Sequence, residues 1–562
     1  MKRIICAIGI GLLGLALSAG GKDPGQKDAA LSPSEKMDKL FDFWNRLDQP
    51  GFAVVVVKEG QVLYQKVFGL ACQEHAVAIT PNTVFNTATL AQVFVGQAVA
   101  LLEKQGKLSL DDDVRKHIPE IPDFGTPLKL RHLVFHASGL RDWRPVLQLA
   151  GREKEEVTFA SVLELVQAQK KPVFTPGASY QISNTNYDLL AEVVARLSGR
   201  PFSEWAWENV FKPLRMTRTL FRDNFRQVLD DQAFSYNFTR EEYLRGIDHL
   251  SLAGSHSLYA SIADLAKWLT AIEAGPAEVQ DIIAKMSVRG TLDGGRPAAQ
   301  GYGLRIGAMG GRNIASQSGT WAGSGAALTY FPEQKFGFVV LANWDYTPVE
   351  GFIGEIINIY LPAPPPPATA KKTPPPAPAK KAVKVSPKVI DEYAGDYRLG
   401  TGQVLNISRA GSDLILSIPG QKFTLIPLSE TEFLFDLAGA TLVFQKDKEG
   451  KVRQLVFSQG GNDLPAPKIV LWKPAVEELK DYAGSYSNDE LNLRFAVELK
   501  GGALVLKAPG QEDVRLAPDE KEKFLSTWRA MPKIVFQRDD QNRVTGFSIE
   551  SAPVRDIVFK KD

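Results

Sequence analysis

One segment near residue 370 limits this chain more than any other, because it cannot join a folded core. From Pro362 to Pro387 the sequence holds the runs Pro364–Pro367 and Pro374–Pro376, with Lys371, Lys372, Lys380, Lys381 and Lys384 and no acidic residue. Such a composition has no apolar face to bury, and its prolines favour extended, semi-rigid chain. The lysines read as solvating and mutually repelling charges. The segment is therefore a linker, and the regions on either side must each close their own cores. With 562 residues, two to four domains are expected.

Beyond the linker the texture becomes short alternating strands, and the region repeats itself. Tyr393-Ala394-Gly395-Asp396-Tyr397 is echoed by Tyr482-Ala483-Gly484-Ser485-Tyr486, and Val443-Phe444-Gln445 by Val535-Phe536-Gln537. Many short strands with regular turn signals favour closure, so residues 388–473 and 474–562 are predicted to be two small antiparallel, lipocalin-like β-barrels.

Ahead of the linker, residues 32–361 mix helical and strand patterns. Ser32 and Glu35 have capping-box spacing, and Met37, Leu40, Phe41, Trp44 and Leu47 form one apolar stripe, predicting a helix over 32–47. Phe52–Val57 and Val62–Phe68 are β-rich runs joined at Lys58-Glu59-Gly60-Gln61, a hairpin signal. The stretch Phe85–Pro122 reads as one long buried helix with a glycine stop at Gly106, where Lys104 and Lys107 complement the negative end of its dipole. Val349–Leu361 reads as a closing helix packed beside the first.

Lys2 and Arg3, the apolar run Ile4–Leu17 and the small residues Ser18-Ala19-Gly20 give residues 1–20 the form of a secretion signal. No later segment is apolar enough to span a bilayer, so no membrane span is expected after cleavage. Cys72 would then be the only cysteine of the mature chain, and it forms no internal disulfide. A net charge of +2 supplies no bulk field toward nucleic acid. His132 and His136 are four apart, but Leu133 stands where a zinc protease needs glutamate, so His136 reads as a structural turn residue. His75, His117, His249 and His256 show no ligand spacing, and no metal or organic cofactor is expected.

The Phe85–Pro122 stretch, the turn His136-Ala137-Ser138-Gly139-Leu140, the run Ser179–Tyr187 and Ser316–Thr320 together resemble the serine β-lactamase and penicillin-binding-protein superfamily, in its esterase and D-aminopeptidase branch. The resemblance covers about Ser34–Leu361 and implies an α/β (α+β) transpeptidase-like domain, its antiparallel sheet flanked by helices. With two barrels after it, the whole looks like D-aminopeptidase architecture. In that family a Ser-x-x-Lys helix supplies nucleophile and base, a Tyr-Ser-Asn motif relays the proton, and a Lys-x-Gly or His-x-Gly strand holds the substrate.

The matching positions here are Thr89 and Gln92, then Ile182 with Ser183 and Asn184, then Gln317 with Gly319. A glutamine amide donates and accepts hydrogen bonds but takes no proton near neutral pH. Members of a catalytic unit fail together, not additively. Thr89, Gln92, Ile182 and Gln317 are therefore degenerate catalytic positions, and Thr89, Gln92, Ser183, Asn184, Gln317, Gly319 and Thr320 are expected to line a cleft for a peptide or peptidoglycan-like ligand. The expected protein is a secreted or periplasmic pseudoenzyme of the bacterial envelope, acting as a binding or scaffold module. The alternative is a working hydrolase that uses Thr89 as nucleophile. A third reading leaves the partner contact to the barrels.

Overall fold

The computed structural model describes residues 31–239, 242–345, 349–361, 383–400, 402–418, 421–436, 439–459, 462–528, 530–550 and 554–562. The proposed secretion signal and the linker through residue 382 lie outside the described residues.

The first domain is built on a six-stranded antiparallel sheet. In chain order its strands are β1 (Phe52–Lys58), β2 (Gln61–Phe68), β3 (Arg305–Met309), β4 (Arg312–Trp321), β5 (Ser324–Phe331) and β6 (Phe336–Ala342), and in space they run β3-β4-β5-β6-β1-β2. The N-terminal hairpin thus pairs with the last strand, Phe52 opposite Ala342. β1 reads as an unbroken valine run because both its faces are covered. Phe52, Val54 and Val56 pack with Phe41, Phe338 and Phe352 on one side, while Ala53, Val55 and Val57 join the large helical core on the other. Alternate side chains of a strand point to opposite faces, so a strand sandwiched between two layers is apolar at every position.

Helix α1 (Pro33–Phe41) carries the expected capping box, with Ser32 Oγ accepting from the Glu35 N–H. It ends sooner than its pattern suggested: a short 3-10 turn, Asp42–Trp44, follows, and Leu47 is left exposed. The stripe continued past the point where the chain turns into β1.

The long helix expected at the start of the Phe85–Pro122 stretch begins later than Phe85. Val84–Asn86 is a strand paired with Leu258–Ser261, Ala88–Leu90 is a 3-10 turn, and α2 proper is Ala91–Lys104. Eleven of its fourteen residues are buried, so it is a central helix with no polar face. Gly106 takes the left-handed conformation (φ +68°) that stops it.

Further helices are α3 (Trp143–Leu149), α4 (Asn184–Ser198), α5 (Ile262–Ala274) and α6 (Phe352–Tyr360). α6 packs beside α1, with the rings of Phe41 and Phe352 5.0 Å apart.

Residues 395–469 and 484–561 each contain eight strands closed into a barrel. The repeated residues have a common task. Tyr397 Oη donates to the Tyr393 carbonyl at 2.7 Å and Tyr486 Oη to the Tyr482 carbonyl at 2.7 Å. Inside, Tyr393 stacks on Phe444 at 4.2 Å and Tyr482 packs on Phe536 at 4.8 Å. Buried hydroxyls find partners and the rings fill the barrel, which is why these residues recur.

The second barrel grips the first domain. Val146 and Leu149 of α3 belong to the barrel's own apolar cluster, and Arg141 forms a largely buried ion pair with Glu490. The barrels are joined by Arg398, which pairs with Asp519 and Glu520. Among the described residues no helix is long and apolar enough to cross a membrane.

Candidate functional site

Three separate segments meet at the N-terminus of α2. Thr89 sits in the 3-10 turn that opens it. The preceding residue, Ala88, has φ +48°, an unusual value for alanine, and is held there by its N–H donating to Asn86 Oδ1 at 2.8 Å. β4 supplies the opposite wall. Its pairing with β3 stops at Ser316, so residues 317–321 have one backbone edge free of that strand, and this edge meets the Thr89 turn. Thr89 Oγ1 donates to the Ser318 carbonyl at 2.9 Å. A Cβ on Gly319 would lie 2.2 Å from Thr89 Oγ1, so glycine is what permits this approach.

Behind Thr89 the polar side chains form a line. Gln317 Nε2 donates to the Thr89 carbonyl at 3.3 Å and to Gln92 Oε1 at 3.2 Å. Gln92 Nε2 donates to Asn184 Oδ1 at 3.1 Å, and Asn184 Nδ2 donates to Asp142 Oδ2 at 2.8 Å. Each amide passes one hydrogen bond to the next, ending on a carboxylate. Burial pushes the Asp142 carboxyl up, against the N–H groups of Arg144 and Asn184 that hold it down.

Five of the expected positions, Thr89, Gln92, Asn184, Gln317 and Gly319, therefore stand together. Three stand differently. Ile182 is 56% exposed at the surface. Ser183 is buried, its N–H donating to His136 Nδ1 at 3.3 Å and its Oγ without a partner among the described residues. Thr320 is exposed, opposite Gly325.

His136 is a structural residue. Its Nδ1 also accepts from Asn186 Nδ2 at 3.0 Å, and burial pushes the imidazole down to about 3. Ser138 Oγ donates to Asn186 Oδ1 at 2.6 Å, so Ser138 and His136 both engage Asn186 and form no nucleophile–base pair. Among the described residues no three His, Cys, Asp or Glu side chains are grouped to hold a metal.

Sequence reasoning missed a second buried array beside this line. Asp188 on α4 accepts from Trp143 Nε1 at 2.6 Å, from the Ser255 N–H at 2.7 Å and from Ser255 Oγ at 3.2 Å. Ser255 Oγ also lies 2.9 Å from His256 Nδ1. Burial pushes the Asp188 carboxyl up to about 7 and His256 down to about 3, the latter with help from the nearby Arg144 charge. His256 packs on Trp321 at 4.5 Å, and its Nε2 has no partner among the described residues. The loop lies close to the Thr89 turn, since Thr87 donates through both N–H and Oγ1 to the Leu258 carbonyl, at 2.9 and 3.0 Å. The only signal for it in the sequence was a lone histidine without ligand spacing.

Around Thr89 the site holds a hydroxyl, backbone dipoles and neutral amides, with the Asp142 carboxyl at the far end of the line. Among the described residues no lysine, tyrosine or histidine hydrogen-bonds to Thr89 Oγ1. The group that accepts its proton is a backbone carbonyl, which is no base.

Residues 38–356 match the family described as Beta-lactamase, and residues 472–561 match a domain of unknown function, DUF3471. The chain belongs to the serine β-lactamase and penicillin-binding-protein superfamily. It is 23% identical over 540 residues to the D-aminopeptidase of Brucella canis, a match covering 91% of this chain and 96% of that protein. It is 28% identical over 301 residues to the D-aminopeptidase of Gluconobacter oxydans, covering 53% of this chain and 56% of the relative. The fold is that of the octameric penicillin-binding protein homologue from Pyrococcus abyssi (TM-score 0.54, 19% identity, 85% of this chain and 98% of that one). A class C β-lactamase superposes with TM-score 0.50 at 19% identity, over 59% of this chain and 97% of its own.

Proposed function

We propose that this is a β-lactamase-family protein that no longer transfers acyl groups and instead holds a peptide or peptidoglycan-like ligand by neutral hydrogen bonds. The observation that carries the reading is the pair Gln317–Gln92, two hydrogen-bonded amides at the positions of the base and of the third-motif side chain, continued by Asn184 to Asp142. Acyl transfer needs a group that takes the nucleophile's proton, and each such step is worth about 10²–10⁴-fold. Glutamine satisfies the same hydrogen bonds without titrating. We further propose export to the bacterial envelope, on the basic, apolar and small-residue order of Lys2–Gly20.

Intact mass after incubation with a labelled β-lactam or a fluorophosphonate tests the reading. No adduct is expected. A covalent adduct at Thr89 would overturn it. The second reading, a hydrolase that uses Thr89, is favoured by the relatives named D-aminopeptidase. Release of ammonia from D-amino-acid amides would establish it.

A further inference from the structure

Beside the amide line lies a cavity of about 140 Å³ between α3 and the end of β4. Its apolar walls are Trp143 and Leu147 of α3, Val157 and Leu250, which form a short parallel bridge, and Trp321 with Ile247, while Arg144, Gln148, Glu153 and His249 add a polar part to the lining. Trp321 is fixed on several sides. The Arg144 guanidinium lies 4.5 Å above its ring, His256 packs 4.5 Å away, Trp143 meets it edge-on at 5.9 Å, and its Nε1 donates to Asp248 at 2.9 Å. A wall held this way is preorganised, so little ordering remains to be done when a ligand enters.

The cavity and the amide line draw on the same two segments, the start of α3 and the strand β4. Asp142, which ends the line, directly precedes Trp143. Gln317, Gly319 and Trp321 alternate along β4 and so face the same side of it. A ligand lying along this face of β4 from Gln317 would meet the mainly apolar cavity at the Trp321 end. About 140 Å³ is close to the space that holds one benzene ring. Ile247, on the cavity lining, is 63% exposed.

We propose that this cavity selects the ligand by one ring-sized apolar side chain, and that the ligand class is an N-acylated aromatic amino-acid amide or a peptide carrying one. The proposal rests on the binding role assigned above and names the ligand of that same site.

Calorimetric titration of the full chain with N-acetylphenylalaninamide and N-acetylalaninamide, in both enantiomers, tests it. The phenylalanine ligand is expected to bind about tenfold tighter or more, since each tenfold is about 1.4 kcal/mol and a ring buries more than that in transfer terms. Ile247→Ala trims a mostly exposed side chain of the cavity lining. It is expected to weaken the phenylalanine ligand about threefold and leave the alanine ligand unchanged. Equal affinities for the two ligands, or no binding of either in the millimolar range, would overturn the proposal. A covalent adduct or turnover would instead overturn the non-catalytic reading and leave the side-chain preference standing.

Discussion

Gly319→Ala is the most direct probe of the approach between β4 and the Thr89 turn. The added methyl would sit 2.2 Å from Thr89 Oγ1, 3.0 Å from its Cγ2 and 3.1 Å from its Cβ. Real side chains do not approach so closely, so the strand or the turn must shift. Overpacking of this kind costs about 1–3 kcal/mol. The shift also breaks the 2.9 Å bond from Thr89 Oγ1 to the Ser318 carbonyl, a loss of about 0.5–1.5 kcal/mol. The expected destabilisation is roughly 2–4 kcal/mol. Thr89→Ala alone loses only the hydrogen bond and a methyl, about 1 kcal/mol. In the double variant only the Cβ contact at 3.1 Å remains, which a small movement relieves. The double variant should therefore be about 1–2 kcal/mol more stable than the sum of the single changes. Urea unfolding followed by tryptophan fluorescence gives all four corners of the cycle. Strict additivity, or a Gly319→Ala chain as stable as the parent, would refute the geometry described for the site.

Asp188 sets a pH signature. Its folded pKa, about 7, lies above the unfolded value of 3.8, so its contribution is present at low pH and is lost as pH rises from about 4 through 7. In thermal melts, Asp188→Asn should reduce the fall in stability across that window; an unchanged slope would assign it elsewhere. His256, pushed down to about 3, works in the other direction, its contribution present above 6.5 and lost as pH falls through 3, so His256→Gln should lessen acid destabilisation below pH 6. Removing Arg141 strands Glu490 at the contact between α3 and the second barrel. A broken buried pair costs about 3–5 kcal/mol, so Arg141→Ala should quicken amide exchange across 143–151. Restoring Thr89→Ser, Gln92→Lys, Ile182→Tyr and Gln317→His together should bring back covalent labelling if the pocket geometry has survived, whereas Gln92→Lys alone should not.

The parts of this molecule legible in its sequence are those set by local chemistry. The Ser32 capping box, the Gly106 stop and the Lys58–Gln61 turn each depend on a few adjacent residues. The tyrosine–glycine–tyrosine echo was readable because both copies use the same hydroxyl-to-carbonyl bond and pack the first tyrosine on the matching phenylalanine, stacked in the first barrel and edge-on in the second. A further pair, Lys468 and Lys561, was not readable. Their Nζ atoms donate to the carbonyls of Glu392 and Asp481 and lie over Tyr397 and Tyr486, but their flanking sequences differ. At the site, Thr89, Gln92, Asn184 and Gln317 were found because they occupy fixed places in motifs. Asp142, Asp188 and His256 were missed because three distant segments make that array, and a buried carboxylate looks like any surface acid until its partners are known.

The sheet closes only by joining the two ends of its domain. β1 lies beside β6, and Asn343 Oδ1 takes the Gly51 N–H at 2.8 Å. On a ribosome adding about 5–20 residues each second, the first hairpin waits roughly 15–60 s for its neighbour to emerge. Through that interval the Phe52–Val57 run has no second layer to cover it, and its outer edge invites any other extended chain. Long-range pairing of this kind also folds slowly. Newly made chains should therefore depend on a holding chaperone until β6 is made.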